Sequence, residues 1–448
     1  MKKNLASLLL LAFCVGVFGQ AVAQRSAAEF FEEGNAKARS NDFAGALQSY
    51  SAVISMNPEH APSYFNRGLA KANLKDHRGA ILDYDRAIEI NSKEALYYQS
   101  RGVSKSMQED HRSAIQDYTR AIELNPDDSK SYYNRGISRA KLENQRGALL
   151  DLDQAISLDG NDVLGLYARG NTKQTLGDFG GSLADFTRVI DLSPKRAGAF
   201  SGRGLAKIKL GDYKGAIADY TKAIELSPED ASSYSNRGFA KVKVEDFEGS
   251  ISDYNRALQL NPIDYEAYYG RGFAKGKLGD QKGAIQDLNR AVEINNNYTT
   301  DAKKIVYIGS ISRNVLDNLR SVVQERIKIN DLSPERAEAY FIRGLSKNKT
   351  GDAKGAILDM NSAIELNPIY AEAYFSRGLV HSAVGEQMAA ILDCSNAIKL
   401  RPDYSEAYYV RGIIKHSLGD VNGGCLDLSK AGELGYTPSY KAISDYCN

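Results

Sequence analysis

Ala197-Gly-Ala-Phe-Ser-Gly-Arg-Gly-Leu-Ala-Lys-Ile-Lys-Leu-Gly211 runs directly into Asp212-Tyr-Lys-Gly-Ala-Ile-Ala-Asp-Tyr-Thr-Lys-Ala-Ile-Glu-Leu-Ser-Pro228. The first half has helical spacing and stops at Gly211, a residue suited to the left-handed turn that ends a helix. Asp212 is a good N-cap for a second helix. Apolar or small residues recur at Ala216, Ile217, Tyr220, Ala223 and Ile224, which makes one buried stripe along that helix. Pro228 closes the unit and begins the next turn. The stretch reads as two antiparallel helices.

Its glycine, Gly204, belongs to an evenly spaced series: Gly34, Gly68, Gly102, Gly136, Gly170, Gly204, Gly238 and Gly272, resuming with the same spacing at Gly344, Gly378 and Gly412. A fixed period of this length marks an array of supersecondary units, each too small to bury a core alone and each stacked on its neighbours. The expected class is all-α, a solenoid of about twelve helix pairs with a closing helix at 436–447. There Pro438 falls in the first turn, and Tyr440, Ile443 and Tyr446 share a face.

The units resemble the tetratricopeptide repeat family, whose pattern is a large aromatic, then Leu-Gly, Tyr, Ala, an aromatic, Ala and Pro. Around Gly68 the matching residues are Tyr64, Gly68, Ala80, Tyr84 and Ala87. Around Gly204 they are Phe200, Gly204, Ala216, Ala223 and Pro228. The resemblance covers roughly residues 28–434 and implies a right-handed superhelix whose inner groove is lined by the first helix of each repeat. Some family members clamp a terminal carboxylate with lysine and asparagine. Asn35 and Asn66 match two such positions, whereas Phe31, Leu96 and Ser100 stand where basic residues are expected.

Two features depart from the family pattern. Arginine replaces the leucine before the glycine in ten repeats, and a lysine such as Lys71, Lys105 or Lys241 usually replaces the tyrosine after it. Each arginine has an aspartate at one fixed offset further on: Arg67 with Asp83, Arg203 with Asp219, Arg271 with Asp287, Arg411 with Asp427. The first repeat lacks both, with Glu33 and Ser49 in their places. Residues so offset are level on antiparallel helices, and a partly buried charge needs a partner, so a ladder of structural salt bridges is expected. A stripe of aromatic residues runs just ahead of the glycines: Phe31, Phe65, Tyr98, Tyr133, Tyr167, Tyr269, Phe341, Phe375 and Tyr409. These are candidates to line the groove and hold a partner, or to pack between first helices.

The rhythm breaks between Gly272 and Gly344, which stand slightly more than two periods apart. Apolar spacing persists there (Ile305, Ile308, Ile311, Leu316, Leu319, Val322), so 297–334 reads as one degenerate repeat, with Gly309 and Glu325 at the arginine and aspartate positions. It would separate an N-terminal block, 24–296, from a C-terminal block, 335–448. The run Asn295-Asn296-Asn297 and the lost pattern are expected to loosen the array there.

The N-terminus carries Lys2 and Lys3, an apolar run from Leu5 to Phe18 and Ala21-Val22-Ala23, the pattern of a secretory signal peptide spanning 1–23. That run is short for a membrane span. Export makes disulfides possible. Cys425 and Cys447 lie equally far along the chain on either side of Tyr436, near the centre of the last turn, and are expected to pair; Cys394 takes a core position and reads as a buried thiol. The net charge of +1 and the ordinary composition, 43% apolar and 25% charged, carry no pull toward nucleic acid. The histidines His60, His77, His111, His381 and His416 lack metal-ligand spacing. The serines lack a nucleophile-elbow context. The expectation is therefore an exported bacterial scaffold, periplasmic or secreted, with no enzymatic site, cofactor or metal. Its partner would be a protein or peptide; a cell-envelope glycan, or a regulatory place in an envelope assembly complex, are the alternatives.

Overall fold

The computed structural model describes residues 25–305 and 334–447. The leader expected at 1–23, and residues 306–333 of the irregular stretch, lie outside the described residues. The chain divides into two compact units, Met1–Pro194 and Lys195–Asn448. The first holds α1 Ala27–Arg39, α2 Phe43–Met56, α3 Ala61–Asn73, α4 His77–Ile90, α5 Ala95–Met107, α6 His111–Leu124, α7 Ser129–Lys141, α8 Gln145–Leu158, α9 Val163–Thr175 and α10 Phe179–Leu192. The second holds α11 Ala197–Lys209, α12 Tyr213–Leu226, α13 Ala231–Lys243, α14 Phe247–Leu260, α15 Tyr265–Lys277, α16 Gln281–Ile305, α17 Pro334–Lys349, α18 Ala353–Leu366, α19 Ala371–Ala383, α20 Gln387–Leu400, α21 Ser405–Ser417, α22 Val421–Glu433 and the closing helix α23 Pro438–Tyr446. All regular structure among the described residues is helical.

The same local devices make every pair. The first helix ends at a residue with positive φ, such as Gly211 at 82° or Glu245 at 64°. The next residue caps the second helix: Gly215 N–H donates to Asp212 Oδ1 at 2.9 Å, and Gly249 N–H to Asp246 Oδ1 at 2.9 Å. The periodic glycine permits a close approach. A Cβ on Gly204 would fall 2.9 Å from the Tyr220 ring, so the ring of the second helix rests on the backbone of the first. Tyr50, Tyr84, Tyr118, Phe186, Tyr220 and Leu288 take this place and are almost completely buried.

Within each unit, every first helix also packs on the second helix of the repeat before it, and first helices of successive repeats touch directly. This stacking corrects the reading of 297–334. α16 continues to Ile305, so Asn295–Asn297 lie inside a helix. α17 packs directly against α16, the place a stacked degenerate pair would need. Arg343 Nη1 donates to Asn289 Oδ1 at 3.1 Å; that rung spans 54 residues, whereas the matching rungs Arg271–Asn255 and Arg377–Asn361 span 16. The stack passes from the Gly272 repeat straight to the Gly344 repeat, and the second unit runs through the boundaries expected at 296 and 334. The tripeptide Ser333-Pro334-Glu335 repeats the sequence Ser227-Pro228-Glu229 that precedes an ordinary first helix, so the extra residues fall between the second helix of one repeat and the first helix of the next. Deleting 295–332 joins Ile294 to Ser333 and restores the regular period of the glycines. The deleted chain is expected to keep its helical signal per residue and its thermal midpoint by circular dichroism. A collapse of either would restore those residues to the stack.

Burial of the second-helix tyrosines gives the fold an alkaline limit. Burial raises the phenol of Tyr118 to about 12 and raises those of Tyr84, Tyr220 and Tyr254 as well. In the unfolded chain these groups ionise near 10. The folded state therefore holds its proton where the unfolded state has lost it. The contribution is whole below pH 10 and falls as pH rises toward the folded values. Helicity is expected to fall cooperatively above pH 10, with tyrosinate absorbance at 295 nm rising in the same transition. Full tyrosinate absorbance in a chain that is still helical would contradict this.

Candidate functional site: the face of the first helices

The first-helix face is built from repeated rungs. In the Gly238 repeat, Arg237 Nε and Nη2 donate to Asp253 Oδ2 and Oδ1 at 2.9 and 2.6 Å, a bidentate pair. Lys241 Nζ reaches Asp253 Oδ2 at 2.8 Å. The Arg237 guanidinium stacks over Tyr234 with its carbon 5.7 Å from the ring centroid. Asp253 is 3% exposed, yet both its oxygens are matched. The ten arginines from Arg67 to Arg411 each bind the aspartate of their own repeat in this bidentate way, including Arg67–Asp83, Arg203–Asp219, Arg271–Asp287 and Arg411–Asp427.

The offset within a repeat did not reveal the third arm. Arg237 Nη1 donates to Thr221 Oγ1 of the preceding repeat at 3.1 Å. Arg67 reaches Ser51, Arg101 reaches Asp85, Arg135 reaches Thr119, Arg169 reaches Asp153 and Arg411 reaches Ser395 in the same way. Each of these arginines is thus a tie between repeats as well as within one. The signal was present: a short polar side chain stands two residues after each aspartate. In the first repeat Glu33 pairs instead with Arg25 and Lys37.

The aromatic stripe is half-buried to buried, and none of its rings is exposed. Phe65 lies 4.8 Å from the Tyr97 ring, Phe341 5.0 Å from Tyr370, Phe375 4.9 Å from Tyr404 and Tyr409 5.0 Å from Tyr436, each partner belonging to the repeat or turn that follows. Phe31 meets Tyr50 and His60, Tyr167 meets Phe186, and Tyr269 stacks on Tyr265. Tyr133 is also half-buried. Tyr98 stands four residues before Gly102, not three; Gln99 holds the stripe position, and Tyr98 stacks under Arg101 as Tyr64 does under Arg67. Phe65, Phe341, Phe375 and Tyr409, each packed against a ring of the segment that follows, lack the open face that stacking on a sugar needs.

The more open apolar row lies one turn further along each first helix, directly after the glycine. Leu69, Phe239 and Leu379 are 36%, 40% and 40% exposed there. Residues after the glycines are apolar in all repeats except those with Asn35 and Asn171. Asn35 and Asn66 are tied to one another: Asn66 Nδ2 and Tyr50 Oη both donate to Asn35 Oδ1, at 3.1 and 2.9 Å. They line a cavity with Arg39, Phe43, Leu69 and Asn73.

At the end of the chain Cys425 and Cys447 form a disulfide. Cys394 is free and buried, and burial raises its thiol to about 12. No group of three potential metal ligands occurs among the described residues, and none of their helices is long and apolar enough to cross a membrane.

Helix pairs stacked so that their first helices form a continuous face in each unit define a helical-repeat interaction scaffold. Family comparison gives it a place. A TPR repeat description matches residues 204–245 and 241–279, and two tetratricopeptide repeat descriptions match 31–95 and then 95–128, 265–298 and 337–370. These matches take in about half of the chain, which belongs to the tetratricopeptide repeat family; arrays of this kind are protein-interaction scaffolds and typically not enzymes. No curated protein matches the chain. Among solved structures it is similar to YrrB, described as a TPR protein with an unusual peptide-binding site, at 24% identity over 42% of this chain and 96% of that one, with a TM-score of 0.39. A tetratricopeptide repeat protein from Parabacteroides merdae is 20% identical over 55% and 98% of the two chains, TM-score 0.41. The C-terminal part of a TPR protein from Cytophaga hutchinsonii is 17% identical over 54% and 98%, TM-score 0.46.

Proposed function

We propose that the chain is an exported scaffold that holds a peptide or protein segment along the face of its first helices. The observation that carries this reading is the row after the glycines, where Leu69, Phe239 and Leu379 stay open and the other apolar members are half-buried, on helices that touch one another within each unit. Such a surface offers many modest contacts in series, and rows at helical spacing suit an extended or helical segment. Export is supported by the leader pattern at 1–23 and by the Cys425–Cys447 disulfide, since disulfides persist in oxidising compartments. A photo-crosslinking residue at Phe239 should capture a partner from envelope extract. The same residue at Glu248, on an exposed second-helix position, should not. Equal capture at both sites would sink the reading. A fusion to a reporter that is active only outside the cytoplasm tests export.

A further inference from the structure

We infer that the partner segment held by the second unit is acidic, with carboxylates alternating with apolar residues; the inference rests on the face being the binding surface. Four consecutive first helices, α11, α13, α15 and α17, each end in an apolar residue followed four positions later by a lysine. The pairs are Leu205–Lys209, Phe239–Lys243, Phe273–Lys277 and Leu345–Lys349. Residues four apart share a helix face. Lys243 lies over the Phe239 ring at 5.2 Å and Lys277 over the Phe273 ring at 5.4 Å. The four helices are neighbours in the stack, including α15 and α17, whose lysines are separated in sequence by the insertion. The row is therefore continuous where the sequence is not.

Charge pairing separates these lysines from the others. Lys207, Lys241, Lys275 and Lys347, two residues earlier, are each consumed by the aspartate of their rung. Lys209, Lys243, Lys277 and Lys349 are exposed and have no ion-pair partner among the described residues. The capping carboxylates Asp212, Asp246, Asp280 and Asp352 stand nearby at the same turns, but each is committed to a backbone N–H of its second helix. Stabilising a helix C-terminus does not require lysine here. The same position is Asn73, Met107 and Thr175 in three repeats of the first unit, with Arg39 and Lys141 in its other two, and Ala383 and Ser417 in the last repeats, so the unbroken run of four lysines belongs to the second unit. The opposite edge of the face is acidic: Glu266, Glu338, Glu372 and Glu406 occupy four consecutive first helices, with Glu372 paired to Arg401. On α15 and α17, where both edges are present, a segment lying between them meets cations on one side, carboxylates on the other and apolar side chains beneath; on α11 and α13 it meets the cations alone. Carboxylates on its lysine side are complementary to that field, and lysines there are not.

The test is selection from a random twelve-residue peptide library displayed on phage, against the full chain and two variants. One is Lys209→Gln, Lys243→Gln, Lys277→Gln and Lys349→Gln together; the other is Phe239→Ala with Phe273→Ala. Both are first checked for wild-type helicity. The chain contains no tryptophan, so tryptophan-tagged versions of the selected peptides report binding directly by fluorescence. The expected peptides are rich in Asp and Glu between apolar residues. They should bind the lysine variant about ten-fold or more weakly and lose affinity with added salt. Peptides without acidic bias that ignore the lysine variant but fail on the phenylalanine variant would overturn the charge inference and leave the binding face standing. No selected peptide, or peptides indifferent to both variants, would overturn both.

Discussion

Asp253→Ala is expected to destabilise its part of the stack by about 3–5 kcal/mol. The substitution leaves the Arg237 guanidinium and the Lys241 ammonium facing each other with their shared carboxylate gone. Arg237→Ala should cost less, about 1–3 kcal/mol, because Lys241 still pairs with Asp253 and only the bidentate bond and the tie to Thr221 are lost. The double variant should be less damaged than the sum of the two, since it leaves one cation facing no carboxylate. Stability in a repeat array is a sum of local terms, so the proper readout is hydrogen exchange in α13 and α14 under mild urea. A loss for Asp253→Ala under about 1 kcal/mol would place the rung among ordinary surface pairs.

The second large effect is expected at the C-terminus. Cys425 and Cys447 close a loop of 22 residues, and removing that closure with Cys425→Ser should cost about 3 kcal/mol in the chain-entropy account. The loss should fall on α23. That helix buries Ser439 and Ala442, donates from Tyr440 Oη to the Gly432 carbonyl at 3.0 Å, and is preceded by Tyr436, whose ring packs on Tyr409. Exchange protection in α23 and α22 should drop while α11 to α16 are unchanged. Thiol labelling of the denatured, unreduced chain from residue 24 onward should find one reactive cysteine, Cys394. Three would exclude the bridge.

The helix pairs were legible because each carries its own local punctuation: a positive-φ residue, in most pairs an aspartate cap, and a glycine opposite a buried side chain of the second helix, a large ring in six of them. Less of the site could be read. The fixed offset brings Arg237 level with Asp253, but one helix pair contains no information about a third arm reaching Thr221. That arm shows only when repeats are superposed and the polar residue after each aspartate is seen as a row. The irregular stretch misleads for a related reason. Apolar spacing between Ile305 and Val322 carries no sign of which neighbour a segment packs on, and α17 already fills the place beside α16. The decisive sign is the sequence Ser333-Pro334-Glu335, a copy of Ser227-Pro228-Glu229, which marks where the array resumes. The aromatic stripe could not be placed, because regular spacing does not distinguish a ring in a groove from a ring wedged between two helices. The lysine row is hidden in the sequence because Lys277 and Lys349 become neighbours only once α17 is packed on α16.

The third arm of the arginines also makes the array polar, like a row of plugs and sockets. Within each unit the arginines after its first repeat carry a plug that points backward, onto a short polar socket of the repeat before. A joint of that kind, passed from one molecule to the next, would build an open filament. The last repeat still has its socket, Ser429, exposed. The first has no plug: Glu33 stands in place of the arginine and is held by Arg25 and Lys37. One missing plug ends the series: the arginine joint that ties repeat to repeat has no counterpart on the first repeat to offer the socket of another copy.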